Sequence, residues 1–231
     1  MTLILHKHEQ IMQPSPAPAA APRGQYMHSA NGRKIYPFDP RPEEININVV
    51  AHHLATNNRW NGATQHKRFK TRISYSVAEH SVYCAWYVRD VLGFPEYELE
   101  ALLHDGPEYV TGDMIRPVKH DARIHPVIRP LEDSWELAFA KRFGLRFPLP
   151  KEVKMADEAV CSAESLQIVP KDDREDWISG KMHDDSKVAP YEIQMLDAYQ
   201  AKEFFLMAYE SAIRRRPDFQ ALPSSVEIYS K

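Results

Sequence analysis

Residues 74–93 read SYSVAEHSVYCAWYVRDVLG, and residues 97–109 read YELEALLHDGPEY. In the first stretch Val77, Ser81, Cys84, Val88 and Val91 recur at helical spacing, and Gly93 followed by Pro95 ends the run. In the second, Leu99, Leu102 and Leu103 form the apolar side of another helix. The two together predict a helical hairpin turning about Leu92. His80 and His104 each lie twelve residues from that turn, about 18 Å along their helices at about 1.5 Å per residue. Their imidazoles are therefore expected at one level.

Asp105 follows His104 directly. An imidazole and a carboxylate side by side form the ligand mixture that borderline divalent ions accept, and a capped, solvated pair at a helix end is the plain alternative. A further donor has to come from elsewhere in the chain. Asp157, in EVKMADEAVCSAESLQIV (152–169), has Val153, Ala156 and Val160 as helical neighbours and is expected to point toward an apolar face. A buried carboxylate without a partner is costly or takes up a proton. A metal ion, an arginine partner or a cap on another helix would each meet that need.

Outward from this region the periodicity predicts a helix carrying Ile47, Val50, Ala51 and Leu54, then helices at about 76–92, 96–110, 126–144, 151–168 and 191–215. The last ends in basic residues, as helix C-termini favour. No alternating strand pattern intervenes, so the expected fold is all-α, a helical bundle, without internal repeats. QPSPAPAAAPRG (13–24) is low in complexity and rich in Pro and Ala. The expected organisation is a flexible tail at 1–33, one folded domain at 34–220 and a C-terminal tail at 221–231.

With 231 residues and 43% hydrophobic content the chain can bury one sizeable core. Its apolar stretches fall far short of the roughly 20 residues that span a bilayer, and MTLILHKHEQ (1–10) lacks the apolar core of a signal peptide. No membrane association and a cytoplasmic location are the expectation. Cys84 and Cys161 read as buried, reduced thiols, which excludes a disulfide framework or a cysteine-rich zinc site. The net charge of −3 argues against a nonspecific DNA binder, and no stable nucleic-acid complex is expected. Phe204, Phe205, Met207 and Ile213 on the last helix would support either core packing or a symmetric homo-oligomer interface.

The segments YSVAEHS (75–81), ALLHD (101–105), EYVTGDMIRPVKH (108–120) and VKMADEAVCSAES (153–165) together resemble the HD-domain phosphohydrolases. The resemblance is strongest to the bacterial HD-domain 5′-deoxynucleotidases and the related viral dATP triphosphohydrolases, and runs from about Arg59 to Ser165. It implies an HD-domain bundle in which His80, His104, Asp105 and Asp157 hold one divalent ion, drawn from Co, Mn, Zn, Fe and Mg. It also implies that Glu108 orients or deprotonates the attacking water and that Asp113 serves as leaving-group acid or sugar ligand. Arg59 and Lys119 would contact phosphate, and Trp60 would pack on the deoxyribose. Each has a plainer reading: Glu108 as a solvent-facing helix residue, Asp113 as a local cap, Arg59 as a helix-end cation, Trp60 as core filler and Lys119 as a solvated lysine.

The implied activity is hydrolysis of a deoxynucleoside monophosphate to deoxynucleoside and phosphate. The alternatives are release of tripolyphosphate from a dNTP, or a non-catalytic HD module that binds nucleotide or nucleic acid. Two features depart from the pattern. Gly106-Pro107 follows the His-Asp pair, where proline removes an amide donor and a kink would move Glu108. NGATQHKRFKTRIS (61–74) concentrates His66, Lys67, Arg68, Lys70 and Arg72 in one loop, either a solvated basic loop or a contact for the outer phosphates of a triphosphate. His120 and His125 follow the TGD turn too closely, in a Pro-rich loop, to suggest a second metal.

Overall fold

The computed structural model describes residues 23–175 and 187–216, and the expected C-terminal tail at 221–231 lies outside them. The fold is all-α. Helix α1 (Ile47–Thr56) starts at Asn46, whose side chain accepts from the Asn48 and Val49 amides. Helix α2 (Val77–Trp86) is capped by Ser76 and continues through one π turn, Tyr87–Val91, before Gly93 reverses the chain. Then follow α3 (Glu98–Leu103), α4 (Glu108–Thr111), α5 (Arg116–Lys119), α6 (His125–Phe143), α7 (Lys151–Gln167) and α8 (Ala198–Arg214).

Helix α2 is the axle of the molecule. It packs against α1, α3, α7 and α8, so Val77–Ala85 are buried on every side. Polar residues on such a helix need internal partners, and each has one. Ser81 Oγ donates to the Val77 carbonyl at 2.9 Å, and Tyr83 donates to Glu79 at 3.1 Å. Glu79 also accepts from the amides of Gln194, Met195 and Leu196 at 3.0, 3.0 and 2.8 Å. Helix α3 is tied down by its own buried carboxylates. Glu98 pairs with Arg89 at 2.6 Å and Arg215 at 2.9 Å, and Glu100 pairs with Arg146 at 2.8 Å.

Three expectations change. Within the supposed N-terminal tail, residues 23–33 are ordered: a hairpin ahead of the first helix pairs β1 (Met27–His28) with β2 (Lys34–Ile35). Arg23 anchors it by pairing with Asp39 and, at 2.7 Å, with Glu44. The local signal was Asn31-Gly32, with Gly32 at φ +78° in the turn. The helix expected at 96–110 is broken at the His-Asp pair into α3 and α4, because Pro107 has no amide to continue the ladder. The helix expected from 191 begins only at 198, where Asp197 and Gln200 form a capping box and the preceding residues form an irregular segment, with Met195 at φ 53°. On α8, Phe205 is buried, Phe204 and Ile213 are half-buried and Met207 is exposed. Among the described residues no helix is long and apolar enough to cross a membrane.

Candidate metal centre

His80 emerges from the buried middle of α2, and its Nδ1 lies 2.6 Å from Glu164 Oε1 on α7. The same carboxylate accepts from Tyr75 Oη at 3.0 Å, Trp60 Nε1 at 2.8 Å and Arg59 Nε at 3.2 Å. Burial pushes the Glu164 carboxyl up, but Arg59, His80 and these hydrogen bonds pull further and hold it below the ordinary carboxylate range. An ionised Glu164 accepts the Nδ1 proton of His80, which turns Nε2 the opposite way; burial and Arg59 oppose a charge on this imidazole, but Glu164 and Asp157 help to hold it well above its ordinary range.

His104, just past the end of α3, is arranged similarly. Its Nδ1 donates to the Ala101 carbonyl at 2.7 Å, while Nε2 is buried and without a hydrogen-bond partner. The rings of His80 and His104 stand 5.4 Å apart. Between them, Asp105 Oδ2 is 3.2 Å from His104 Nε2 and 3.6 Å from His80 Nε2, and Asp157 Oδ1 is 3.3 Å from His80 Nε2. Both imidazole Nε2 atoms thus face carboxylate oxygens, an arrangement that needs either a proton on each imidazole or a cation in its place. Donors held about 2.0–2.2 Å from one ion in tetrahedral or octahedral geometry lie about 2.8–3.6 Å from their neighbours. The observed spacings fit an ion. Burial raises both carboxyls, yet His104, His80 and Arg59 outweigh it and keep Asp105 and Asp157 far below the ordinary range, in the form that ligates.

The other expected residues surround this core. Asp157 has the arginine partner that was one alternative to a metal: Arg116 Nη2, from α5, is 3.2 Å from its Oδ2. Its Oδ1 is the oxygen turned to His80. Glu108 opens α4 rather than continuing α3, and its Oε2 is buried without a hydrogen-bond partner. Burial pushes the Glu108 carboxyl well above the ordinary range, and Asp105 and Asp113 add to that. Burial also raises Asp113, which Arg59 pulls down and Asp105 pushes up. Arg59 is only 8% exposed, and its guanidinium is shared among Glu164, Asp105 at 3.3 Å and Cys161 at 3.0 Å. Burial opposes its charge, but Glu164, Cys161, Asp113 and Asp105 hold it firmly protonated.

Trp60 and the following Asn61 both take left-handed backbone angles, φ 56° and 50°. Such strain costs about 1–2 kcal/mol per residue, and the Trp60–Glu164 hydrogen bond opposes its release. Lys119 pairs with Glu132 on α6 at 2.8 Å, and its charge still favours ionisation of Glu108. In the basic loop, Lys67 donates to the Leu166 carbonyl and Arg72 to the Gln194 carbonyl at 2.7 Å. Sequence reasoning missed Glu164, Arg116 and Cys84. Glu164 stands seven residues, two helical turns, beyond Asp157, so the two share one face of α7. Cys84 stands one turn beyond His80.

No family model matches the sequence. The uncharacterized protein YfdR of Escherichia coli (strain K12) is 27% identical over 139 residues, 60% of this chain and 70% of YfdR. The uncharacterized protein RCAP_rcc00048 of Rhodobacter capsulatus is 41% identical over 158 residues, 65% of this chain and 77% of that protein. With that identity over that share of its relative, the chain belongs to the same family as the Rhodobacter capsulatus protein.

Proposed function

We propose that this protein is a divalent-metal-dependent phosphohydrolase of the HD-domain type that cleaves deoxynucleoside 5′-monophosphates to deoxynucleoside and phosphate. The observation that carries this reading is that Asp105 Oδ2 lies 3.6 and 3.2 Å from the Nε2 atoms of His80 and His104, with Asp157 Oδ1 3.3 Å from His80 Nε2. An ion held by His80, His104, Asp105 and Asp157 would supply Lewis acidity, lowering the pKa of water and polarising a phosphoryl oxygen. Glu108, half-buried and with its Oε2 lacking a hydrogen-bond partner, orients the attacking water. Asp113, whose carboxyl burial holds up, gives its proton to the departing 5′-oxygen. Arg59 brings a fixed positive charge to the centre, where negative charge builds on the phosphoryl group. Trp60, strapped to Glu164, forms the wall against the deoxyribose, and Lys119 is the second cation.

A short substrate is favoured by the basic loop. Lys67 reaches Leu166, nine residues and about 14 Å of helix beyond Asp157, and its charge is engaged there by a backbone carbonyl. A cytoplasmic location accompanies the reading, since Cys84 and Cys161 are both buried free thiols.

The test is product analysis after reloading metal-free protein with Mn²⁺ or Co²⁺ and supplying deoxynucleoside and ribonucleoside mono- and triphosphates. Deoxynucleoside and inorganic phosphate from the dNMP are expected. Tripolyphosphate from the dNTP would identify a triphosphohydrolase instead, and absence of turnover on every nucleotide would leave a binding module. Glu108→Ala should lower kcat by about 100- to 10,000-fold while metal binding persists; full activity would remove Glu108 from the mechanism.

A further inference from the structure

We propose that Cys84 is a sulfur ligand of this centre, so that the site is built for a thiophilic ion such as Zn²⁺, Fe²⁺ or Co²⁺ and discriminates against Mg²⁺. The inference rests on the metal-binding reading above and adds a donor of a different chemical class to it. Cys84 lies at i+4 from His80 on α2, which puts both side chains on one face. Its Sγ is 3.3 Å from His80 Nε2, and the donor atoms of His80, Cys84 and His104 all lie within 4.8 Å of one another. Cys84 is fully buried, and the His104 side chain, 9% exposed, turns an Nε2 without a hydrogen-bond partner into the same space.

An ion about 2.0–2.1 Å from nitrogen and about 2.3 Å from sulfur holds the two donors about 3.1–3.6 Å apart. The sulfur is therefore already at ligand spacing. Cys161 differs in its surroundings. It forms a second grouping with His80 and Glu164, but there its Sγ accepts from Arg59 Nη2 at 3.0 Å and donates to Asp157 Oδ1 at 3.3 Å, and a cation would meet the Arg59 charge, so Cys161 is the rival that the experiment compares. As the ion binds, the metal–sulfur bond forms and the S–H bond breaks, with the proton passing to solvent. Thiolate ligation selects soft and borderline ions, whereas Mg²⁺ prefers oxygen.

The experiment is titration of metal-free full-length protein with Co²⁺, followed by visible and near-ultraviolet absorption, together with X-ray absorption of the Zn²⁺-loaded wild type. Cobalt d–d bands are expected with a thiolate-to-cobalt charge-transfer band that Cys84→Ser abolishes and Cys161→Ser retains. The zinc spectrum should contain one sulfur at about 2.3 Å. Zn²⁺ affinity of Cys84→Ser should fall by at least the about 10- to 100-fold typical of losing a supporting partner, with Mg²⁺ affinity unchanged. The d–d bands without charge transfer, and only nitrogen and oxygen around zinc, would overturn the sulfur ligand and leave the metal reading intact. A charge-transfer band lost in Cys161→Ser instead would also overturn it. No cobalt spectrum at all would overturn both. The zinc measurement on wild-type protein is independent of how either variant folds.

Discussion

Gly106 occupies a place with no room for a side chain. A Cβ there would meet ring carbons of Phe139 at 2.3 and 2.7 Å and the Leu103 carbonyl oxygen at 2.9 Å. Phe139 is fully packed and the carbonyl is backbone, so neither can yield cheaply. Gly106→Ala is expected to destabilise the protein by about 1–3 kcal/mol in chemical denaturation. Because Asp105 is its neighbour, metal affinity should fall with it; wild-type stability would show that the turn has room to spare. The residues at this scale were unevenly legible. His80, His104 and Asp105 stand out because their spacing and chemistry coincide. Glu164 does not, because a glutamate two turns past Asp157 looks like any helix residue until Arg59, Trp60, Tyr75 and His80 are seen to meet on it.

Between the elements, Glu79 sets how α2 holds the segment that leads into α8. Its carboxylate accepts three successive amides, from Gln194 to Leu196, and stands beside His80 in sequence. Glu79→Ala would leave those amides without their acceptor, at about 1–3 kcal/mol for each that stays buried. A loss of about 3 kcal/mol or more, with faster hydrogen exchange at residues 194–196, is expected; unchanged exchange there would contradict the role. This latch also explains why the amphipathic pattern from 191 misled. Periodicity registers which residues are apolar, but the irregular course of 191–197 is held by a glutamate more than a hundred residues away. The start of α8 was nonetheless written locally, as Asp197 and Gln200 at capping-box spacing. Gly106-Pro107 likewise marked the break between α3 and α4.

For the whole molecule, the proposed ion joins α2, the turn after α3, and α7, adding to the packing and polar contacts that already link them. Binding confined to the folded state adds about 2.7 kcal/mol at a hundredfold excess over Kd, and about 2–4 °C in Tm accompany each kcal/mol in a chain of this size. Metal loading should therefore raise Tm by about 5–11 °C, reversibly on chelation, in a calorimetric scan. An unchanged Tm would mean that the centre does not take up the ion. The all-α class was legible because the apolar periodicity is strong along most of the chain. The N-terminal hairpin was not, because its strands are two residues each and the Pro/Ala run beside it dominates the local composition.

The most direct measurement is isothermal titration of metal-free protein with Mn²⁺, comparing wild type with His104→Ala. One ion per chain in the wild type, and at least about a 100-fold weaker affinity in the variant, is the predicted result. No binding by the wild type, or equal affinity and stoichiometry in His104→Ala, would contradict the claim that this cluster is a metal centre.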